Sequence, residues 1–248
     1  MSAYQFSRIL LINCLLIIAV NGLFYWQFVK TLVAQRQIAI LFGLAIYFIQ
    51  IIVTYLLAGD QKIWLTQPFK GKTILQGLGA IIVVEVLTTM LLSTFTTHAH
   101  IFSLTDRLPS FFLLFILNSL PGAILEEWIF RYLPLRFSQQ FKKDHRTILL
   151  CIGSLILFTL IHIPAYIFQY EHSLSELSRV FMMGLFFLVV YVLTQNLFFT
   201  VLFHGLTNNP LYLVESPYYW LYFYGSTVVV SGFWALQNWR NRHRSISL

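Results

Sequence analysis

Phe111-Phe112-Leu113-Leu114-Phe115-Ile116-Leu117 leads shortly into Leu125-Glu126-Glu127-Trp128-Ile129-Phe130-Arg131. The first run reads as membrane. The second sets two adjacent carboxylates and a guanidinium in the same apolar stretch. A charge at the centre of a bilayer costs about 2.5–3.5 kcal/mol on insertion scales, and neighbouring carboxylates also repel each other. Such a group persists only where polar partners compensate it. His162 and His204, each set in its own apolar stretch, are candidate partners. The pattern points to a catalytic site built inside a membrane protein.

Composition agrees. The chain is 58% hydrophobic and 10% charged, with 24 Phe and 13 Tyr, whereas soluble domains carry about 25% charged residues. The 248 residues leave room for about eight spans and little else. The expectation is therefore an all-α polytopic protein, one membrane domain over 1–248, with its polar motifs confined to about 111–213. The net charge of +7 does not point to nucleic acid, because the basic residues sit in short loops between apolar runs. Cys14 and Cys151 both lie inside apolar runs and read as small core residues.

Apolar runs fall at about 9–28, 38–58, 73–95, 111–133, 147–169, 180–193, 196–213 and 217–237. Most match the roughly 20 residues needed to cross a hydrocarbon core. The first run is too long for a signal-peptide core and reads as a retained helix. Only Thr194-Gln195-Asn196 separates the sixth and seventh runs, so 180–213 reads either as two short helices or as one long tilted helix. With eight spans, one side collects eleven basic residues: Arg8, Lys62, Lys70, Lys72, Arg136, Lys142, Lys143, Arg146, Arg240, Arg242 and Arg244. The other side collects four: Lys30, Arg36, Arg107 and Arg179. The positive-inside bias then puts both termini in the cytoplasm.

Three groups of residues carry the chemistry. Glu127 and Arg131 are four apart, so they share a helix face and can pair. Glu126 is rotated about 100° from Glu127 and stays available. His162 is followed by Pro164, which kinks or ends its helix and frees backbone groups. His204 and Asn208 are four apart with Gly205 beside the histidine. A carboxylate and an imidazole can hold and deprotonate water, and helix-borne donors can stabilise the resulting oxyanion. Zinc is chemically compatible with two histidines and a glutamate; Glu126, His162 and His204 would then be its ligands. No HExxH stands in the chain, and the residues do not demand a cofactor.

Glu126-Glu127-x-x-x-Arg131, Phe158-x-x-x-His162 and His204-x-x-x-Asn208 together resemble the three motifs of the CPBP intramembrane proteases, the family of CAAX prenyl endopeptidases and of the Abi-type bacteriocin-processing and immunity proteins. The ordered set spans about residues 118 to 210; the first 100 residues carry no motif. The resemblance implies about eight helices around a conical intramembrane cavity. It implies Glu126 and His162 as the pair that activates water, Glu127 with Arg131 as support, and His204 with Asn208 as oxyanion donors. It implies a membrane-associated peptide or lipidated protein as substrate, with the bilayer as the other partner. Family members have been described both as metalloproteases and as glutamate-dependent enzymes. A non-catalytic immunity or signalling-regulator protein on the same fold is the alternative reading. A proton-coupled transporter is a weaker one, since neither inverted repeats nor paired broken helices are evident.

Other polar residues fit less sharply. Glu85 lies mid-span, where an acid is expensive; it either hydrogen-bonds within the bundle or lines a cavity. His98 and His100 read as a solvated loop. Arg240 to Arg244 read as an anchor at anionic lipids.

Overall fold

A computed structural model describes residues 1–95, 100–101, 104–139 and 144–244. His98, Lys142 and Lys143 lie outside the described residues. Apart from a two-residue antiparallel pairing of His100–Ile101 with Val214–Glu215, the regular structure among the described residues is helical. Among the described residues six helices are long and apolar enough to cross a bilayer: Ala3–Tyr25, Arg36–Gln61, Gly71–Phe95, Leu108–Ser138, His145–Gln169 and Leu174–Thr194. Large apolar side chains such as Leu11, Phe48, Ile82 and Phe233 face outward, as lipid-facing residues do. The protein is an all-α polytopic membrane protein.

Helix limits follow from local chemistry. Ser2 and Gln5 form a reciprocal capping box at the first helix, the Ser2 hydroxyl accepting from the Gln5 amide at 3.1 Å and the Gln5 side chain from the Ser2 amide at 3.0 Å. Gly59 ends the second helix with a φ of 53°, a conformation that favours glycine.

The seventh run departs from expectation. Its helix is Leu197–Asn208, 12 residues long, and does not continue to 213. Pro210 disfavours the helical conformation at the residue before it, and Asn209 accordingly has φ −143°. Residues 180–213 are two helices, not one. Gln195 breaks them at φ 54°, and the Asn196 side chain caps the second by accepting from the Phe199 amide at 2.9 Å.

The chain divides into two compact units. The first comprises Met1–Gln67 and Pro121–Leu188. Within it, Asn13 Nδ2 donates to Thr54 Oγ1 at 2.9 Å, buried between the first two spans, a polar tie of the kind that joins membrane helices. Phe6 stacks on Phe137 with ring centroids 4.4 Å apart. Lys30 meets Glu171 at 2.6 Å. This hydrogen bond, and then the lysine's charge, hold the Glu171 carboxyl below its usual range. Four spans separate these two residues in sequence, so their contact requires an even number of crossings between them.

The second unit comprises Pro68–Leu120 and Val189–Leu248. Leu197–Asn208 and Tyr219–Arg244 pack on Gly71–Phe95. A Cβ on Gly77 would lie 2.9 Å from the Phe199 amide nitrogen, so the close approach of these backbones depends on glycine. At one end, Asn196 Nδ2 donates to the Thr73 carbonyl at 3.0 Å. The His100–Ile101 and Val214–Glu215 pairing marks the other end. The short helix and the non-helical residues 209–213 carry the chain between them. Together they reach roughly the 30 Å of a hydrocarbon core.

Candidate active site

Glu126 and Glu127 end the Leu120–Glu127 helix, and Arg131 sits in the π-helical turn Trp128–Tyr132 that follows. Such wide turns hold one residue more than an α-turn and recur at functional sites. Arg131 Nε lies 3.3 Å from Glu127 Oε2, with the two side chains 1% and 0% exposed. The guanidinium carbon stands 3.9 Å from the Phe158 ring centroid and 5.6 Å from that of Phe187. Its Nη2 donates to the Gly184 carbonyl at 3.3 Å. The Glu127 charge is thus matched by a cation that is itself held by a carbonyl and by ring faces. Glu126, the neighbouring acid, is partly exposed.

The level of His162 follows from the packing. Ser154 Oγ donates to the Phe130 carbonyl at 2.6 Å, and Arg131 lies over Phe158. The two helices are joined by a short connection and run antiparallel. One turn back from Arg131 reaches Glu127, and one turn on from Phe158 reaches His162.

The α-helix Asp144–Leu160 stops just before His162, and a second π-helical turn, Ala165–Gln169, follows Pro164. Pro164 has no amide hydrogen to continue the ladder. His162 Nδ1 lies 2.7 Å from the Phe158 carbonyl. A carbonyl only accepts, so Nδ1 carries the hydrogen, and in the neutral ring Nε2 holds the lone pair. The ring is also seated edge-on against Phe158, with centroids 4.6 Å apart. His162 is therefore fixed in the tautomer that a general base needs.

His204 and Asn208 belong to the second unit, on the Leu197–Asn208 helix. His204 is 5% exposed, and Asn208, one turn on, is exposed. Gly205 makes room beside the histidine; a Cβ there would come within 3.0 Å of Phe115. The next residue, Asn209, donates its side-chain amide to the Phe111 carbonyl at 3.2 Å and fixes the helix end.

Zinc takes three or four protein ligands. Among the described residues no three His, Cys, Asp or Glu side chains gather for one.

Two residues here, Tyr219 and Gly184, have no signal in the sequence. Glu85, 7% exposed, accepts a hydrogen bond from Tyr219 Oη at 3.2 Å; of its two expected roles, it takes the bundle hydrogen bond. Tyr219 also packs on Tyr212, with ring centroids 4.6 Å apart. Gly184 is the seat of the arginine: a Cβ would lie 2.8 Å from Leu155, 2.9 Å from Phe158 and 3.1 Å from Arg131 Nη2. No single side chain can yield to relieve all three. Gly184→Ala is expected to destabilise the protein by about 1–3 kcal/mol, the usual range for overpacking, read as a lower melting temperature in detergent.

Residues 108–209 match the family model of the Rce1-like type II CAAX prenyl endopeptidases. No curated protein matches the chain, and no solved structure does. The matched segment contains all three motifs, and over those residues the chain is similar to the CAAX-type intramembrane proteases.

Proposed function

We propose that the protein hydrolyses a peptide bond in a lipid-modified, membrane-associated substrate of CAAX type, with Glu126 and His162 activating the attacking water. One observation supports this most directly. Arg131 neutralises Glu127 in a closed pocket, while the neighbouring Glu126 is partly exposed and the His162 ring, held through Nδ1, carries its lone pair on Nε2. Water gives a proton to this acceptor pair and attacks the scissile carbonyl carbon through oxygen. The same proton passes to the departing amine as the C–N bond breaks. In this reading His204 and Asn208 donate to the carbonyl oxygen as it becomes charged, the role the family resemblance implies. The test is a farnesylated peptide ending in a CAAX box, offered to the purified protein in liposomes beside its unprenylated twin. Cleavage of the prenylated peptide, persisting with chelator present, is expected. A folded protein that cuts neither peptide would overturn the reading in favour of a binding role.

In the same proposal both termini face the cytoplasm, supported by the distribution of basic residues. Single cysteines at Lys62 and Arg240 are then expected to resist a membrane-impermeant thiol reagent in intact cells and to react after permeabilisation. Reaction of either in intact cells would reverse the orientation.

A further inference from the structure

Tyr47 belongs to the first 100 residues, which carry none of the family motifs, yet it is placed against the Glu126 helix. A Cβ on Gly122 would lie 2.8 Å from Tyr47 Oη and 3.3 Å from its Cζ. Only glycine leaves room for the hydroxyl there. Gly122 and Glu126 are four apart in one helical stretch, so they share a face, with about 5–6 Å between such neighbours. The phenol thus sits one turn from the partly exposed carboxylate, and the Glu126 charge acts on it. The same charge reaches Tyr170 from the loop side. There desolvation first, then Glu126 and Tyr166, push the phenol above its usual range. Tyr47 Oη has no hydrogen-bond partner among the described residues, and its ring is only half-buried. A phenol near neutral pH is a donor, and here its proton has no acceptor among the described residues.

We propose that Tyr47 is a further catalytic residue, donating a hydrogen bond from its hydroxyl to the scissile carbonyl oxygen while Glu126 takes the proton of the attacking water. This rests on the hydrolytic reading above. The one-turn separation suits the geometry of attack. The water lies on the carboxylate, the carbonyl carbon lies beyond it, and the oxygen that gains charge points on towards the phenol. The carboxylate can only accept and cannot serve that oxygen. Tyr47 gives up no proton in the step. Its hydrogen bond strengthens as the oxygen becomes anionic, which is how such a donor lowers the barrier. Gly122 is then the positioning residue that keeps the hydroxyl in place.

The experiment compares Tyr47→Phe, Gly122→Ala, Glu126→Gln and wild type in liposomes, using the farnesylated CAAX peptide. Tyr47→Phe removes one oxygen and keeps the ring, so the melting temperature should not move. A fall in kcat of about 10²-fold is expected, typical of one lost oxyanion donor, with KM little changed and the acidic limb of the pH profile unshifted. Gly122→Ala should lower kcat in the same sense by displacing the hydroxyl. Tyr47→Phe turning over at the wild-type rate, while Glu126→Gln is silent, overturns the inference and leaves the hydrolytic reading standing. A shifted acidic limb with the plateau rate retained also overturns it, because Tyr47 would then act through the ionisation of Glu126. Wild type that leaves the peptide intact, or Glu126→Gln that cuts it normally, removes the hydrolytic reading and this inference together.

Discussion

Glu126→Gln is expected to reduce peptide turnover by about 10²–10⁴-fold, the typical worth of a general acid–base group, in a protein that still folds. The amide keeps the shape of the side chain but cannot take a proton from water. Stability should hardly change, because the fully buried ion pair is that of Glu127 with Arg131. The partly exposed position of residue 126 also tolerates a neutral polar group. Glu127→Gln makes the contrast. It removes the counter-charge of a buried guanidinium and should cost folding before it costs chemistry. The two variants, measured side by side for kcat and for melting temperature, separate the adjacent acids. Normal turnover by Glu126→Gln would remove it from the chemistry.

Arg131→Ala is expected to be the most damaging substitution for folding, at about 3–5 kcal/mol, the usual loss when one partner of a buried pair is removed. Three contributions combine here. Glu127, with 0% exposure, loses its counter-charge. The Gly184 carbonyl loses the Arg131 Nη2 donor. The Phe158 and Phe187 rings lose the cation that lies against them. Because Phe158 also supplies the carbonyl that fixes the His162 tautomer, the damage should extend to the histidine. The outcome is read as low yield, a depressed melting temperature and no turnover. Arg131→Lys should recover part of the stability and little more, since an ammonium cannot reproduce the flat stacking on Phe158. An Arg131→Ala protein as stable as wild type would mean that Glu127 is neutral or solvated.

Much of this arrangement was legible in the sequence, for identifiable reasons. Membrane spans are long and uniform, so a hydropathy reading finds them from composition alone. The Glu127–Arg131 pair was legible because helix periodicity places residues four apart on one face. The break at His162 was legible because Pro164 has a fixed local consequence. The end of the seventh helix at Asn208 had its signal in Pro210, but the apolar residues beyond it read as a continued span. Tyr47, Gly184 and Tyr219 were not legible. Each acts through a neighbour far away in sequence: Gly122, Arg131 and Glu85 respectively. A tyrosine or glycine in an apolar run looks the same whether it faces lipid or a charge. Only packing separates the two cases.

The wide turn at Trp128–Tyr132 makes the distance along the chain between the acids and Leu133–Ser138 a matter of length as well as of identity. A π-turn behaves as a tolerated one-residue insertion in an α-helix. Deleting one residue there would let the backbone close into a regular helix and leave everything beyond it near its present orientation, because the wide turn absorbs the roughly 100° that one more α-helical residue would add. Leu133–Ser138 would then present the same side, and the stack of Phe137 on Phe6 would be kept. Related chains that lack this residue are therefore expected to share the acidic pair and the arginine while aligning their following helix one position out of step. A single gap placed in this turn, rather than in the loop after Ser138, restores the correspondence.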